Sequence, residues 1–584
     1  MQASESYKND RAAAQFIDVV GDSMRTEFLK SLTSANYYSV LTDGSTDASV
    51  MEQEVVYVLF MSEEGEPVVK FLSIETPEHA HADGLKQCLE GAFQKIGIVP
   101  MYKQLSNLNV DGASVNTGIH NGLGVKMKES APWLSTIHCF NHCLELAVKD
   151  TFDKTFFKEV DNMLLKLFYL YRKSPKRLRE LKVFGEIYEQ SVPKPYKSYG
   201  TRWISHKVQA MEVVLRNYGI YMKHLESLAH TDSQALKRAE IQGEAKKWQN
   251  AKFPIHLAIY LDVLAPLKAL SLGFQSEKHD PVFALRRITE FNWTMAKLQL
   301  LIDNSLDGGN GDRLTNYTRL LKDVVYDDNT KEYRYQDIKL HNFNIQKNAV
   351  DASYREIITR LASSMEDRFI NIIESPAFKH LIAILDTRLW PSEDAALSSY
   401  CDEEIGVVRD HYNDLLMQNG CDASLILKEW DMLKIFIKPM VNSSPKPYYL
   451  NVWKSVFTNE DIKKDCKNVL HIIELLLITP FTNAKLERVF SRMNRVKTDA
   501  RNRLSQKRLD TSIRVSEEGV EISEFNPDPY LQKWYGDKVR CIKGAKSKKY
   551  PEKRKSVASS SFSDVMKIAS YTLSDLESEE EDED

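Results

Sequence analysis

Three short segments near the start of the chain are rich in β-branched and aromatic residues, and they constrain the fold more than any other feature. They are YYSVLTD, EVVYVLF and VVKFLSI, at residues 37–43, 54–60 and 68–74. The last two are separated by EEGEP (63–67), a turn-forming sequence. Because such side chains favour strands, the pattern predicts a three-stranded meander.

A helix, a strand, a second helix and a final strand are predicted after the meander. Apolar residues recur at three- and four-residue spacing over residues 84–97, as in an amphipathic helix. LSNLNVD (105–111) and LSTIH (134–138) have strand composition, and a glycine-rich helix start lies between them. The sequence therefore predicts an α/β domain of order βββαβαβ over residues 36–150, after a helical lead-in over residues 1–35.

The rest of the chain divides by composition. Apolar stripes at helical spacing predict an all-α region over residues 151–445, which a loop interrupts at DGGNGD (307–312). The segment 446–515 is first apolar and then basic. Residues 516–584 form the last segment, which from about Lys538 changes from basic to serine-rich to acidic, and this composition predicts a disordered tail.

Charge is distributed unevenly although its sum is small. The chain has 78 Lys and Arg against 82 Asp and Glu, a net charge of −4. Residues 485–508 hold nine basic and two acidic side chains, whereas eight of the last ten residues are acidic. The near-neutral sum therefore hides two opposed patches.

No membrane partner and no secretion are expected. The longest unbroken apolar run, residues 55–61, has seven residues, whereas about 18 are needed to cross a bilayer. Seven cysteines, an odd number spread over 584 residues, do not form a disulfide framework. This pattern indicates a reducing, intracellular compartment.

Two aspartates, Asp43 and Asp111, each stand at the end of a predicted strand and before a glycine. Carboxylates that converge from rigid strands are the oxygen ligands that a pair of divalent cations requires. The alternative for either residue alone is a turn or helix-cap aspartate. The presence of two such positions favours the metal site.

A third carboxylate is offered by Glu487, in the stretch ITPFTNAKLERVFSRMNRVKTDARNRLS (478–505). A helix is predicted to begin near the proline of this stretch, with Glu487 beside its buried stripe. Arg488, Arg492 and Arg495 are then expected to face solvent or a ligand. The alternatives are a glutamate favoured by the helix dipole and a solvated basic face.

Together these features resemble the RNase H-like catalytic core of DDE transposases, and the remaining motifs resemble the hAT (hobo, Activator, Tam) superfamily. NAKLERVFS (483–491) with RNRLS (501–505) is similar to the C-terminal dimerisation motif of that superfamily, whose Glu is the third catalytic carboxylate. The resemblance implies that Asp43, Asp111 and Glu487 are the catalytic residues and bind two Mg2+ or Mn2+ ions.

Two further segments take their roles from the same resemblance. HCFNHCLELAV (138–148) is similar to a C-x-x-H segment, which implies that Cys139 and His142 support the active centre. TRW (201–203) is similar to a motif whose Trp stacks on a displaced DNA base, a role that falls on Trp203. The alternatives are packing or a zinc site for the first segment, and a core position for the tryptophan.

The resemblance also implies the architecture. A large all-α insertion (151–445) interrupts the core, since 376 positions separate Asp111 from Glu487. The C-terminal region (446–515) ends the core and dimerises, so a homodimer or higher oligomer is expected. Ordinary core packing is the alternative for the apolar segments expected to form the interface. These are YYLNVWKSVF (448–457) and VLHIIELLLI (469–478).

DNA is the expected partner, and the nucleus is the expected location. Basic side chains near Glu487 would follow the DNA backbone without reading its sequence. KSKKYPEKRK (546–555) is typical of a nuclear import signal, and the acidic end would bind chromatin proteins or act as a solubilising tail. The implied DNA-binding residues are Arg202, Trp203, Arg488, Arg492, Arg495, Lys497, Arg501 and Arg503.

Two functions are therefore expected. The first is a hAT-type DDE transposase that hydrolyses DNA phosphodiesters with two metal ions and transfers strands. The second is a domesticated, catalytically silent nuclear factor that dimerises and binds DNA or chromatin. The three acidic positions favour the enzyme. Family members carry an N-terminal BED zinc finger, whereas this sequence has no cysteine before Cys88, which favours the silent factor or a fragment of a longer protein.

Overall fold

The computed structural model describes most of the chain, which forms two compact units. The first unit comprises residues 1–137 and 383–584, and the second comprises residues 138–382. For residues 203, 301–306, 352 and 377 only the backbone is described. The described residues are 10–47, 49–153, 155–196, 203–232, 234–276, 278–306, 315–498, 501 and 503–536.

The N-terminal part of the first unit has a mixed α/β fold. The predicted βββαβαβ order is confirmed, with two short helices between the last two strands. The elements are α1 (Asp10–Ser34), β1 (Tyr38–Thr46), β2 (Glu52–Met61), β3 (Pro67–Glu75), α2 (Ala82–Lys95), a 3-10 turn (Met101–Lys103), β4 (Leu105–Val110), α3 (Ser114–Thr117), α4 (Leu123–Lys128) and β5 (Ser135–His138).

These strands form one mixed sheet in the order β3-β2-β1-β4-β5. Strand β1 lies in the centre, antiparallel to β2 and parallel to β4. Every side chain of β2 from Val55 to Phe60 is buried. A strand covered on both faces has a continuous apolar run instead of an alternating one, which explains the seven-residue apolar run over residues 55–61.

Helices from the C-terminal part complete the first unit. Two of them, α21 and α23, carry the apolar segments predicted as dimer contacts, yet Trp453 and Ile473 are fully buried in the chain's own core. Core packing, the alternative for both segments, therefore describes α23 and the buried side of α21, whereas Asn451 and Ser455 of α21 are exposed, and the dimer stays a prediction. The elements are α16 (Leu381–Leu385), a 3-10 turn (Thr387–Leu389), α17 (Asp394–Ser398), α18 (Asp402–His411), α19 (Asn413–Gln418), α20 (Ile426–Val441), α21 (Tyr449–Thr458), α22 (Glu460–Asp465), α23 (Lys467–Leu477), α24 (Ala484–Val496), α25 (Gln506–Glu518) and α26 (Asp528–Gly536).

The outer edge of the sheet, strand β3, is covered by side chains of α25. Arg514, which is 1% exposed, donates to the backbone oxygens of Phe71 (3.0 Å) and Leu72. Asp510 accepts a hydrogen bond from the backbone N–H of Ile74 (3.2 Å). An uncovered edge strand leaves backbone N–H and C=O groups unpaired. These side chains therefore take the place of a further strand.

The C-terminal tail begins later than the predicted boundary at residue 516. Helix α26 packs on α1, where the rings of Phe16 and Trp534 meet edge to face with centroids 6.3 Å apart. Burial of these aromatic side chains stabilises the packing of this otherwise polar segment against α1. Residues 537–584 lie outside the described residues, so the import signal and the acidic contact stay predictions.

The second unit is largely helical, as predicted, and also holds a small antiparallel sheet of order β6-β7-β8 that the sequence did not predict. The predicted loop at 307–312 lies outside the described residues. The elements are α5 (Phe140–Phe152), α6 (Phe156–Arg172), α7 (Pro175–Ile187), α8 (Trp203–Arg216), α9 (Tyr218–Thr231), α10 (Ala235–Gln249), α11 (Lys252–Phe274), α12 (Pro281–Leu306), α13 (Asn316–Asp323), β6 (Val325–Asp327), β7 (Glu332–Tyr335), β8 (Ile338–Leu340), α14 (Phe343–Ile373) and α15 (Pro376–Lys379).

Helix α11 forms the centre of the second unit. Among the described residues, it is the one helix long and apolar enough to cross a membrane, and 67% of that stretch is buried inside the protein. Asp262, in the middle of α11, accepts hydrogen bonds from the backbone N–H groups of Asn316 (2.7 Å) and Tyr317 (3.0 Å). Burial and polar pairing of this kind are typical of a core helix.

Candidate active site

Asp43 and Asp111 stand level with each other on neighbouring parallel strands. In the β1–β4 pair, Leu41 is the partner of Asn109. Continuing this register by two residues aligns Asp43 with Asp111. Level side chains on parallel strands point to the same face, and neighbouring strands lie about 4.8 Å apart. The two carboxylates therefore lie side by side at one end of β4.

A third carboxylate, Glu54 of β2, lies beside this pair and was not identified from the sequence. It is 6% exposed, and the hydroxyl of Thr42 donates to its Oε1 atom. The pKa of Glu54 is raised to about 8, mainly by burial, with smaller contributions in the same direction from the negative charges of Asp43 and Asp111. Glu54 is therefore near enough to respond to both aspartate charges, but its side chain lies on the Thr42 and Gly44 face of the sheet, opposite to that of Asp43.

Gly44 leaves the space that the Glu54 side chain fills. The two residues are partners across the β1–β2 pair. A Cβ atom on Gly44 would lie 2.8 Å from Oε2 of Glu54, closer than a normal contact. The sequence predicted that the strand ends at Asp43, but β1 continues to Thr46. Gly44 therefore lies within the strand, where the absence of a side chain admits the Glu54 carboxylate.

Asp111 is held by its own loop. Its Oδ1 atom accepts hydrogen bonds from the backbone N–H of Ala113 (2.9 Å) and from Nδ2 of Asn116 (2.7 Å). This is the turn geometry considered as the alternative for an isolated aspartate. Among the described residues, Oδ2 has no hydrogen-bond partner. The turn therefore fixes one oxygen and leaves the other available to a ligand.

Glu487 lies on α24, which begins beside β1. The side chain of Asn483, just before the helix, donates to the backbone oxygen of Thr42 (3.1 Å), the residue next to Asp43. Glu487 follows one turn later, where its N–H bonds to the oxygen of Asn483 (3.2 Å), and its side chain is half-buried. The N-terminal turn of α24 is thus anchored to the strand that carries Asp43.

The carboxylates of Asp43, Asp111 and Glu487 are chemically suitable ligands for a divalent cation, but they do not form a complete metal site in this structure. Carboxylate oxygens are the ligands that Mg2+ and Mn2+ prefer. Across the described part of the chain, no group of three or more His, Cys, Asp and Glu side chains is close enough to hold a metal ion. The two aspartates are neighbours in the extended β1–β4 register, whereas Glu487 does not complete a three-ligand cluster with them among the described residues.

Residues 10–122 match a family of RNase-like domains. Its description reads DUF4371: ZMYM1/FAM200, RNase-like domain. The family is transposase-derived. This finding agrees with the predicted resemblance to transposases and is compatible with the hAT superfamily. The match covers β1 to β4 and so includes Asp43, Glu54 and Asp111, whereas α24 lies outside it.

Cys139 and His142 lie outside the matched RNase-like segment, at the start of the second unit. Cys139 is fully buried immediately before α5, and α5 packs against α14 within that unit. The thiol of nearby Cys143 contacts the backbone oxygen of Arg368 (3.9 Å), and burial raises its pKa. The supporting role of Cys139 and His142 stays a prediction.

Two of the basic residues predicted to bind DNA have internal partners. Lys497 is buried and forms an ion pair with Asp47. Arg492 bonds to the backbone oxygen of Ser516, and its Nε atom lies 3.1 Å from Oε1 of Glu517. Both side chains hold α24 in the fold. Lys497 in particular lies in the interior, so we leave these two out of the DNA-binding proposal.

The other predicted DNA-binding residues have three kinds of position. Arg501 and Arg503, after α24, are exposed, whereas Arg488 and Arg495 are half-buried on the helix. Trp203 is the first residue of α8, and only its backbone is described. One candidate, Arg202, lies outside the described residues.

Proposed function

We propose that this protein is a hAT-type, transposase-derived protein with a two-metal site that hydrolyses DNA phosphodiesters and transfers DNA strands. The observation that carries the proposal is the pairing of Asp43 with Asp111 on parallel strands, inside the segment that matches an RNase-like, transposase-derived family. Rigid strands fix oxygen ligands before any ion binds, and this lowers the cost of assembling the site.

Asp43, Asp111 and Glu487 would hold Mg2+ or Mn2+, and the bound ions would supply an activated water or DNA 3′-hydroxyl and neutralise charge on the phosphate. The protein's own contribution is positioning. Asn116 limits the rotation of Asp111 through its hydrogen bond to Oδ1. We propose that ion binding draws Glu487 to the aspartate pair, because the start of α24 is already attached to β1.

Glu54 has a separate role in this proposal, because it regulates the charge of the site. With a pKa of about 8, Glu54 is mostly protonated near pH 7. This neutral carboxyl group lies on the face of the sheet opposite to Asp43 and adds no negative charge behind the aspartate pair. Its hydrogen bond with Thr42 also holds β1 and β2 together at the residue before Asp43.

DNA is proposed to bind near the end of α24. The exposed guanidinium groups of Arg501 and Arg503, with the half-buried Arg488 and Arg495, would contact phosphates. Such contacts release counterions, so the affinity would fall steeply as the salt concentration rises. They carry no sequence information, and end recognition would have to come from elsewhere.

The remaining features are proposals of the same kind. We infer that the helical second unit is an insertion into the RNase H-like core, and that the protein acts in the nucleus as a homodimer or higher oligomer. The interface would use surfaces other than the buried α23 and would include the exposed side of α21. The acidic end would contact chromatin proteins.

A domesticated, catalytically silent DNA-binding factor is the second candidate. The observation that favours it is that the described residues contain no three-ligand metal group. A protein of this kind would bind DNA with the same basic residues and need no ions. The two candidates differ in one measurable property, which is metal-dependent cleavage.

A nicking and strand-transfer assay on branched and hairpin DNA with Mn2+ at low salt separates the two candidates. The enzyme proposal predicts cleavage by the parent protein and at least about 100-fold less cleavage by Glu487→Gln and Asp43→Asn, because each removes a ligand charge. Asp410→Asn, at an exposed aspartate of α18, is the matched control and should cleave normally. DNA binding without cleavage by any of these proteins would favour the silent factor.

A further inference from the structure

A second basic surface lies in the second unit, on the helical hairpin formed by α6 and α7. Residues 169–182 contain six basic side chains and one acidic side chain. We call this surface the basic hairpin. Its basic members are Arg172, Lys173, Lys176, Arg177, Arg179 and Lys182.

The turn between the two helices fixes the direction of these side chains. Helix α6 ends at Arg172, and the hydroxyl of Ser174 accepts a hydrogen bond from the N–H of Arg177 (3.4 Å), which caps α7. Leu181 and Gly185 form the buried side of α7. Helical periodicity then places Lys176 on the opposite, outward side, where it is 78% exposed.

The charges of the basic hairpin are largely uncompensated. Arg177 pairs with Asp232 (2.6 Å), and Lys176 lies 3.7 Å from Glu180. For the other four basic residues, no carboxylate of the described chain lies within ion-pair distance. These residues are Arg172, Lys173, Arg179 and Lys182, and all four are exposed. Like charges crowded in this way destabilise a free surface and favour a polyanion as partner.

Two of these cationic side chains lie over aromatic rings. The ammonium of Lys173 lies 5.5 Å from the ring of Tyr169, and the guanidinium of Arg172 lies 5.6 Å from the ring of Phe168. The Tyr169 side chain is itself 41% exposed. A cation held over a ring loses less conformational freedom when it binds, because its side chain is already partly ordered.

We propose that the basic hairpin is a second DNA-binding surface, which binds the phosphate backbone of duplex DNA without reading its sequence. The choice of DNA among polyanions rests on the proposed function. The surface itself is independent of catalysis, because it needs neither the aspartate pair nor a metal ion. It is also independent of α24, since its residues belong to the other unit.

The test measures binding of labelled duplex DNA by the full chain in EDTA, over a range of salt concentrations. The variant Lys173→Gln/Arg179→Gln/Lys182→Gln removes three charges. The control Lys237→Gln/Lys246→Gln/Lys247→Gln removes three exposed charges from α10, where Glu240 and Glu244 are interspersed. Circular dichroism establishes that both variants are folded.

We expect the hairpin variant to bind about 10- to 100-fold more weakly near 100 mM salt, and the slope of log K against log salt to fall by about 2 to 3. The control should match the parent. Equal affinity and slope in the two variants would overturn the inference, and so would a parent chain that does not bind DNA.

Anionic phosphatidylserine vesicles serve as the competing polyanion. A hairpin variant that loses vesicle binding but keeps DNA binding would also overturn the inference. The nicking assay tests the proposed function separately. A protein that never cleaves DNA can still bind it, and the hairpin substitutions can still weaken that binding. Conversely, if the parent protein cleaves DNA and the hairpin variant binds DNA as tightly as the parent, that result contradicts only the inference about the basic hairpin.

Discussion

Asp43 and Asp111 are level on adjacent parallel strands although 68 positions separate them in the chain. The pairing follows from the sheet order, which places β4 directly beside β1. Glu54 reaches the same region from β2 on the other side of β1, across Gly44. Three carboxyl groups from the β1, β2 and β4 region therefore lie near one another in the centre of the sheet, and several consequences can be measured.

The first prediction concerns Glu54 and pH. Because its pKa is raised from 4.5 to about 8, the folded protein keeps a proton that the unfolded chain releases between these values. The free energy of unfolding should therefore fall as pH rises through this window, by up to about 1.4 kcal/mol per pH unit. Glu54→Gln should remove this loss.

Urea unfolding between pH 7 and 8 gives the sharpest comparison for this prediction. Glu474, whose pKa is raised by burial to about 7, contributes a slope of the same sign, and this contribution is common to both variants and cancels when they are compared. Glu63→Gln, at an exposed glutamate just beyond the end of the same strand, is the matched control. A Glu54→Gln protein with the same pH slope as the control would show that Glu54 is ionised in the fold.

The second prediction concerns the space at Gly44. Gly44→Ala places a methyl group against the Glu54 carboxylate and should destabilise the protein by about 1–3 kcal/mol. In a Glu54→Ala background the same change should cost at least about 1 kcal/mol less, because the clash is gone. Additive effects in this double-mutant cycle would contradict the contact.

The third prediction concerns the covered edge of the sheet. Arg514→Met removes the donors for the backbone oxygens of Phe71 and Leu72 and should cost about 2–4 kcal/mol in urea unfolding. It should also increase aggregation, measured by light scattering, since β3 becomes an open edge. Arg503→Met, at an exposed arginine, is the control and should change neither quantity.

The fourth prediction concerns α26, which the sequence assigned to the tail. Trp534→Ala should weaken its packing on α1 by about 2–4 kcal/mol and speed proteolytic cleavage within residues 519–536. Tyr535→Ala, at the exposed neighbouring residue, should have a smaller effect. Equal cleavage rates for the two variants would mean that Trp534 does not hold this helix.

The strands of the core were predictable because β-branched and aromatic runs separated by turns have few other solutions. The pairing of Asp43 with Asp111 followed from the predicted order of strands. Glu54 was not predictable, because its place beside the pair depends on the β1–β2 register, which composition does not determine. A charged residue at the start of a buried apolar run was the only available signal.

The basic and apolar segments show a different limit. Lys497 and Arg492 have the helical spacing of a solvated face, yet their partners Asp47 and Glu517 come from distant segments of the chain. An apolar helix such as α23 has the same pattern whether it fills a core or an interface. Long-range contacts decide these cases, and a single sequence does not contain them.

The most direct test of the account is Mn2+ binding by the purified chain, measured by electron paramagnetic resonance. The account predicts up to two bound ions per chain in the parent, and loss of both in Asp43→Asn and Asp111→Asn, whereas Asp410→Asn should bind as the parent does. Unchanged Mn2+ binding in the two aspartate variants, with the fold intact, would contradict a metal site at the Asp43 and Asp111 pair.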